Sequence, residues 1–212
     1  MIKQRLHRYR IKLRSIGNRI FGKYRQKQLK STDFTIISNN CWAGIVYEYF
    51  NIRKNSPTIG MYFFAEEYVK FISRLKYYLS LKMEIITYEE SKYKDTLIKR
   101  NQTKCPIGKL DDVEIVLLHY HNADEAVEKW ERRCKRVNWD HLIFKMSEMN
   151  QCTFKHLKVF DDFPAERKIL FVSKDYGLKS QIVWPEWTKF GEIKNDTTDF
   201  KKHLNLAEFL NR

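Results

Sequence analysis

Apolar residues recur near the start of the chain at Ile2, Leu6, Tyr9, Leu13, Ile16, Ile20 and Tyr24. The steps are three or four residues, so these positions share one face of a helix. Further on, the pattern shifts to short apolar runs separated by helical stripes. DFTIIS (residues 33–38) reads as a buried strand, Asn39–Asn40–Cys41 as a turn, and 42–50 as a helix stopped before Asn55–Ser56–Pro57. A second strand is predicted over 58–64. A helix follows over 65–79, with Tyr68, Phe71, Ile72, Leu75 and Tyr78 on one side, and then a strand over 83–88. After the polar stretch 89–104 comes a strongly apolar strand, 113–119. Asn122 has the chemistry of an N-cap, Glu125 stands where a capping box needs it, and that helix runs to about Val137. Strands at 141–146, 168–173 and 181–184, with helices at 154–160 and 199–210, complete the chain.

Strands alternating with helices predict one α/β domain over 31–212, a three-layer α/β/α arrangement around a mixed, partly parallel sheet. The helix-free step between Met83 and Val113 is the reason for expecting a mixed sheet. A basic amphipathic N-terminal helix over 1–30 precedes the domain. Hydrophobic residues make up 43% of the 212, enough for a packed core, and the 7 Gly and 4 Pro are too few for long linkers.

Charge changes the picture at one end only. The net +14 is concentrated in residues 1–30, which hold eleven Lys/Arg and no acid; the remainder carries 29 basic and 26 acidic side chains. The body is therefore close to neutral, which weighs against nucleic acid as its partner. The N-terminal helix reads as one that lies in a membrane interface, its basic heads in an anionic phosphate layer. The alternatives are packing of the stripe on the domain, contact with nucleic acid, and an organelle transit segment, for which the single serine is too few. Charges interrupt the first thirty residues too often for a signal peptide, and no apolar run exceeds strand length, so no membrane span is expected. The four cysteines form no CxxC and suggest neither a disulfide framework nor a zinc site. There is no P-loop, GxGxxG, GxSxG or HExxH.

FTIISNNCWAG (34–44), SPTIGMYFF (56–64), KFISRLKYYL (70–79), PIGKLDDVEIVLLHY (106–120) and EKWERRCKRVNWDHL (128–142) fall in order along the chain. Together they resemble the bacterial family called domain of unknown function 1919, over roughly residues 30–175. Members are often labelled as exopolysaccharide or capsule biosynthesis proteins. The resemblance implies a bacterial setting and a link to surface polysaccharide; it implies no reaction. Ala43 departs from the family, which more commonly has glycine there, and the match weakens at Ser147–Asn150.

The candidate chemistry centres on Ser38, Asn39, Asn40, Cys41 and Trp42, which follow a strand and open a helix. Ligands in open α/β sheets sit at the carboxyl ends of strands. A helix start attracts anions and depresses a thiol pKa, so Cys41 is a candidate thiolate nucleophile, with His119 or His121 as its base. The opposing reading makes Cys41 and Trp42 core and the asparagines turn residues. His119 and His121 share one face if the strand stays extended. Asp111 and Asp112 could hold a divalent cation, although adjacent aspartates before a strand are more often solvated. In the helix after Asn122, Glu125–Lys129, Glu128–Arg132 and Glu131–Lys135 are favourable i,i+4 pairs. Arg133 and Arg136 have no such partner and are candidates for gripping phosphate, against a plain solvated face.

Three functional readings follow. The favoured one is a cytoplasmic transferase, peripheral to the inner face of the cell membrane. It would act on a phosphorylated sugar or lipid-linked sugar intermediate of capsular or exopolysaccharide assembly. The second is a Cys–His acyltransferase or hydrolase using Cys41. The third is a non-enzymatic module that docks polysaccharide machinery to an anionic membrane through residues 1–30.

Overall fold

The computed structural model describes residues 15–120 and 122–212. Four parallel strands form the central sheet in the order β1 (Thr35–Ser38), β5 (Leu142–Ser147), β6 (Lys168–Val172) and β7 (Gln181–Val183). A separate antiparallel sheet contains β2 (Glu84–Ile86), β3 (Ile107–Leu110) and β4 (Val113–Val116). The expected mixed sheet thus resolves into two, the helix-free step making the antiparallel one.

Side-chain alternation along the parallel strands builds two cores. Ile37, Phe144, Met146, Leu170 and Val172 face α2 (Ala65–Ser73), α6 (Phe154–Asp162), the antiparallel sheet, and Trp130 of α5 (Ala123–Cys134). Ile36, Ile143, Ile169 and Phe171 face α1 (Trp42–Tyr49) and the C-terminal segment ending in α7 (Leu206–Leu210). These are the three layers. Tyr47 of α1 ties its helix to β1, its hydroxyl donating to the Phe34 carbonyl at 3.0 Å and accepting from Ile36 N–H at 3.1 Å. On the other face, the Tyr68 hydroxyl lies 2.8 and 2.9 Å from the carbonyls of Ile37 and Lys145.

Several elements differ from the sequence pattern, each for a local reason. The 58–64 run is no strand: the hydroxyls of Ser56 and Thr58 engage nearby backbone, and Gly60 takes φ +83°. Only Tyr62 forms a bridge, to Val116, and Phe63 N–H turns to the Asn39 carbonyl, so this run stitches the two sheets together. The 65–79 helix breaks at Arg74 into α2 and α3 (Leu75–Ser80). There the Ser73 hydroxyl takes the Lys70 carbonyl, the acceptor that Arg74 N–H would use. The polar stretch holds α4 (Lys94–Lys99). Pro106 leads into the central strand β3 of the antiparallel sheet, Ile107–Leu110, which the sequence pattern did not show. The 199–210 helix is a 3-10 turn, Asp199–Lys202, followed by α7, restarted by the Asn205 side chain accepting from Glu208 N–H. Asn122 caps α5 as its sequence position suggests, accepting from Glu125 N–H at 2.8 Å.

Of the N-terminal helix, residues 15–26 are described and helical; residues 1–14, with most of the predicted stripe, lie outside the described residues. Among the described residues no helix is long and apolar enough to cross a membrane.

The turn at Gly60 supports both the Tyr62 bridge and the carbonyls around it. A Cβ there would lie 3.1 Å from the Tyr120 ring, in a left-handed conformation that L-residues adopt at a cost of about 1–2 kcal/mol. Gly60→Ala is expected to lower the unfolding free energy by about that amount in a urea titration; an unchanged midpoint would contradict this role.

Candidate functional site

β1 and β5 run side by side with Ser38 opposite Lys145. Period-two alternation puts Ser38, Lys145 and Ser147 on the same face as Ile36 and Ile143, beneath α1. A lysine in that position has no route to water, and Lys145 is 0% exposed. Its ammonium lies 5.7 Å from the Trp42 ring centre and 5.4 Å from that of Phe171. The counter-charge comes from 51 residues further along: Asp196, 1% exposed, forms an ion pair with it.

Every bonding position of this pair is occupied. Lys145 Nζ reaches Asp196 Oδ2, Asn40 Oδ1 at 3.0 Å and Asn39 Oδ1 at 3.4 Å, three acceptors for three protons. Asp196 also accepts from Ser147 Oγ at 2.6 Å and from Asn40 Nδ2 at 2.8 and 2.9 Å. Burial alone would raise the Asp196 pKa, but the Lys145 charge and these donors outweigh it and hold the carboxyl below its ordinary range. Burial pulls Lys145 below the usual lysine value, with Asp196 opposing. The donor and acceptor counts fit an ionised pair.

Asn40 is fixed by the same network, its Oδ1 also accepting from Ser38 Oγ and Trp42 N–H, both at 3.1 Å. Asn39 instead bridges the strands, bonding the Ser147 N–H and carbonyl at 3.1 and 2.9 Å. Above this floor, at the carboxyl ends of β1 and β5, opens a cleft of about 250 Å³. Its walls include Asn40, Cys41, Tyr62, Arg100, Gln102, His119, Asn150 and residues 194–197. Larger hollows exist, one of about 640 Å³ along residues 23–32, but this cleft is where the candidate acid–base and cationic groups meet.

The sequence matches the family described as "Domain of unknown function (DUF1919)" over residues 12–211. The chain belongs to this family. It is also similar to an uncharacterized protein of Haemophilus influenzae (strain ATCC 51907 / DSM 11121 / KW20 / Rd), 29% identical over 151 residues, 71% of this chain and 67% of that protein. Ala43 is fully buried in the α1 core and takes no part in the cleft wall.

Of the candidates, the structure brings Asn40, Cys41 and His119 into one cleft, and leaves Ser38, Asn39 and Trp42 beneath it. The Cys41 Sγ lies 3.5 Å from the Met61 carbonyl. Desolvation, and then the Asp196 charge, push its pKa up to about 12, against the opposing pull of Lys145. The thiol is held neutral, the reverse of the activation that a Cys–His enzyme requires. Trp42 is core, 0% exposed. β4 ends at Val116 and His119 N–H bonds the Gly60 carbonyl, so the strand alternation used to pair His119 with His121 stops short of both. His121 lies outside the described residues. The His119 imidazole has no hydrogen-bond partner among the described residues, and desolvation lowers its pKa from 6.5, leaving it neutral near pH 7.

The arginines are placed differently from the phosphate-gripping role. Arg133 is 9% exposed and donates to the Ile59 carbonyl at 3.1 Å and the Tyr120 hydroxyl at 2.9 Å, bracing the Gly60 turn. Arg136 lies on the surface, away from the cleft wall, in the repulsive company of Arg53, Arg132 and Arg133. Asp111 accepts from the Tyr77 hydroxyl, and Asp112 accepts from Tyr78 and pairs with Lys70 at 3.2 Å, so both brace the β3–β4 turn. Among the described residues no group of three His, Cys, Asp or Glu is arranged to hold a metal.

Sequence reading missed Lys145, Asp196 and Arg100. For Lys145 the signal was present, a charge at an inward position inside the apolar run LIFKMS. Nothing local marks Asp196 or Arg100.

Removing one partner of a buried ion pair strands the other charge. Lys145→Met is expected to cost about 3–5 kcal/mol in urea unfolding, and Lys145→Met/Asp196→Asn to recover most of that. Equal, additive losses in the double-mutant cycle would show that the two groups do not act as a pair.

Proposed function

We propose that the cleft is the active site of a membrane-peripheral transferase of capsular or exopolysaccharide assembly, acting on a phosphorylated sugar or lipid-linked sugar. The observation that carries the reading is His119, which has no hydrogen-bond partner among the described residues and a pKa lowered by desolvation, sharing a cleft with Arg100. Arg100 Nη1 holds the Asn150 side chain at 2.9 Å, its guanidinium lies 5.8 Å from the Tyr62 ring centre, and no carboxylate among the described residues pairs with it. A guanidinium so placed is available to a phosphate. The family's frequent link to surface polysaccharide supplies the setting.

In this scheme the phosphate of the donor rests on Arg100. An acceptor hydroxyl attacks the sugar carbon; its oxygen forms the new bond while the bond to the phosphate oxygen breaks. His119 takes the hydroxyl proton, and the phosphate leaves with the negative charge that Arg100 receives. The volume, about 250 Å³, suits the reacting sugar and phosphate rather than an entire lipid-linked donor.

The purified full chain, titrated calorimetrically with a panel of nucleotide sugars and polyprenyl-phosphate sugars, is expected to saturate with at least one. Arg100→Ala should weaken that binding roughly tenfold or more, while His119→Gln should bind but not turn over. Because catalysis needs neutral His119 and partial desolvation by the cleft walls lowers its pKa from 6.5, the acid limb of kcat/KM should lie below pH 6.5. No saturation by any member of the panel, or a limb well above pH 7, would overturn the assignment.

A further inference from the structure

The described part of the N-terminal helix has two distinct faces. One is tied down. Asn18 is 8% exposed, and a Cβ on Gly22 would lie 2.4 Å from Asn51 Cβ, so only glycine permits this approach. Arg25 Nη1 donates to Asn18 Oδ1 at 2.9 Å and to the Tyr49 carbonyl at 3.1 Å, its guanidinium 4.1 Å from the Tyr49 ring centre. This face seats the helix on the C-terminal end of α1.

The other face is apolar and open. Ile16, Ile20 and Tyr24 are 47%, 64% and 70% exposed. At 100° per residue, Ile16 and Ile20 stand about 200° from Asn18 and Gly22, across the helix from the anchored side. The stripe read from the sequence therefore does not pack on the domain at these positions. Arg19 and Lys23 flank it, within a thirty-residue segment that has eleven basic residues and no acid.

We propose that the Ile16–Ile20–Tyr24 face is a docking surface for an anionic lipid bilayer. The apolar side chains enter the acyl boundary, and the flanking Lys and Arg heads meet lipid phosphates. Charge selects this occupant. A second copy of the helix would bring basic residues against basic residues, and a nucleic acid would leave the isoleucines in water. The inference deepens the membrane-peripheral part of the proposed function by naming the face and the lipid charge it requires. The helix sits at the Tyr49 end of α1, and the cleft lies at its Cys41 end. An eight-residue helix, about 12 Å long, thus separates the docking face from the site.

The test is co-sedimentation of the full chain with phosphatidylcholine vesicles with and without 30% phosphatidylglycerol, a measurement that needs no substrate. The expected result is binding only to the anionic vesicles. It should weaken about fivefold per removed charge in Arg19→Gln and Lys23→Gln, and at least about tenfold in Ile16→Ser/Ile20→Ser, with thermal midpoints unchanged. Ile20→Trp should show a blue shift of emission on adding anionic vesicles. Three results would overturn the proposal: no binding at low salt, full binding by the serine variant, or a self-associated state or RNA complex that buries position 20 instead. Vesicle binding without saturation by any sugar phosphate would leave docking standing and remove the catalytic reading; the reverse would remove docking alone.

Discussion

An ammonium without access to water must find its counter-charge inside the protein, and Lys145 imposes that requirement on the whole C-terminal half of the chain. Leaving it unpaired would cost several kcal/mol, so the segment carrying Asp196 must cross the carboxyl ends of β1 and β5. Once there, Asp196 also fixes Asn40 and Ser147, and Ile193 N–H bonds the Glu148 carbonyl beside it at 2.7 Å. The wall formed by residues 194–197 is a consequence of this one pairing, and the cleft exists because that wall stands opposite Arg100 and His119.

The same network bears on the protonation of Cys41. Asp196 lies close enough to Cys41 to oppose a second negative charge, and burial reinforces it. The most conspicuous nucleophile of the sequence is thus kept as a thiol. Thiolate chemistry at Cys41 is thereby suppressed. Desolvation acts on His119 as well, but on a base it favours the neutral form, and the ring stands at the rim with no hydrogen-bond partner among the described residues.

The fold was legible where a residue's partner is near in sequence or where periodicity alone decides. β1, β5 and β6 follow from apolar runs, and the Asn122 cap from a three-residue spacing. β3 was hidden because Gly108 interrupts its apolar pattern; the space a side chain would take there is filled by Met83, whose Sδ would lie 2.6 Å from a Cβ. The site was legible at its β1 edge, where a polar run follows a buried strand, and at His119. Arg133 looked unpaired because i,i+4 spacing finds only carboxylates, whereas its acceptors are a carbonyl 74 positions away and a tyrosine hydroxyl. Lys145 announced a buried charge; its partner across 51 residues is a property of topology.

The central claim is that a phosphorylated ligand sits over the Lys145–Asp196 floor. Its most direct test is chemical-shift mapping of the isotopically labelled full chain during titration with a sugar phosphate. The account predicts saturable shifts centred on His119, Arg100, Asn195 and Thr197. Shifts centred instead on Arg53 and Arg136, or no saturable shifts at all, would contradict it.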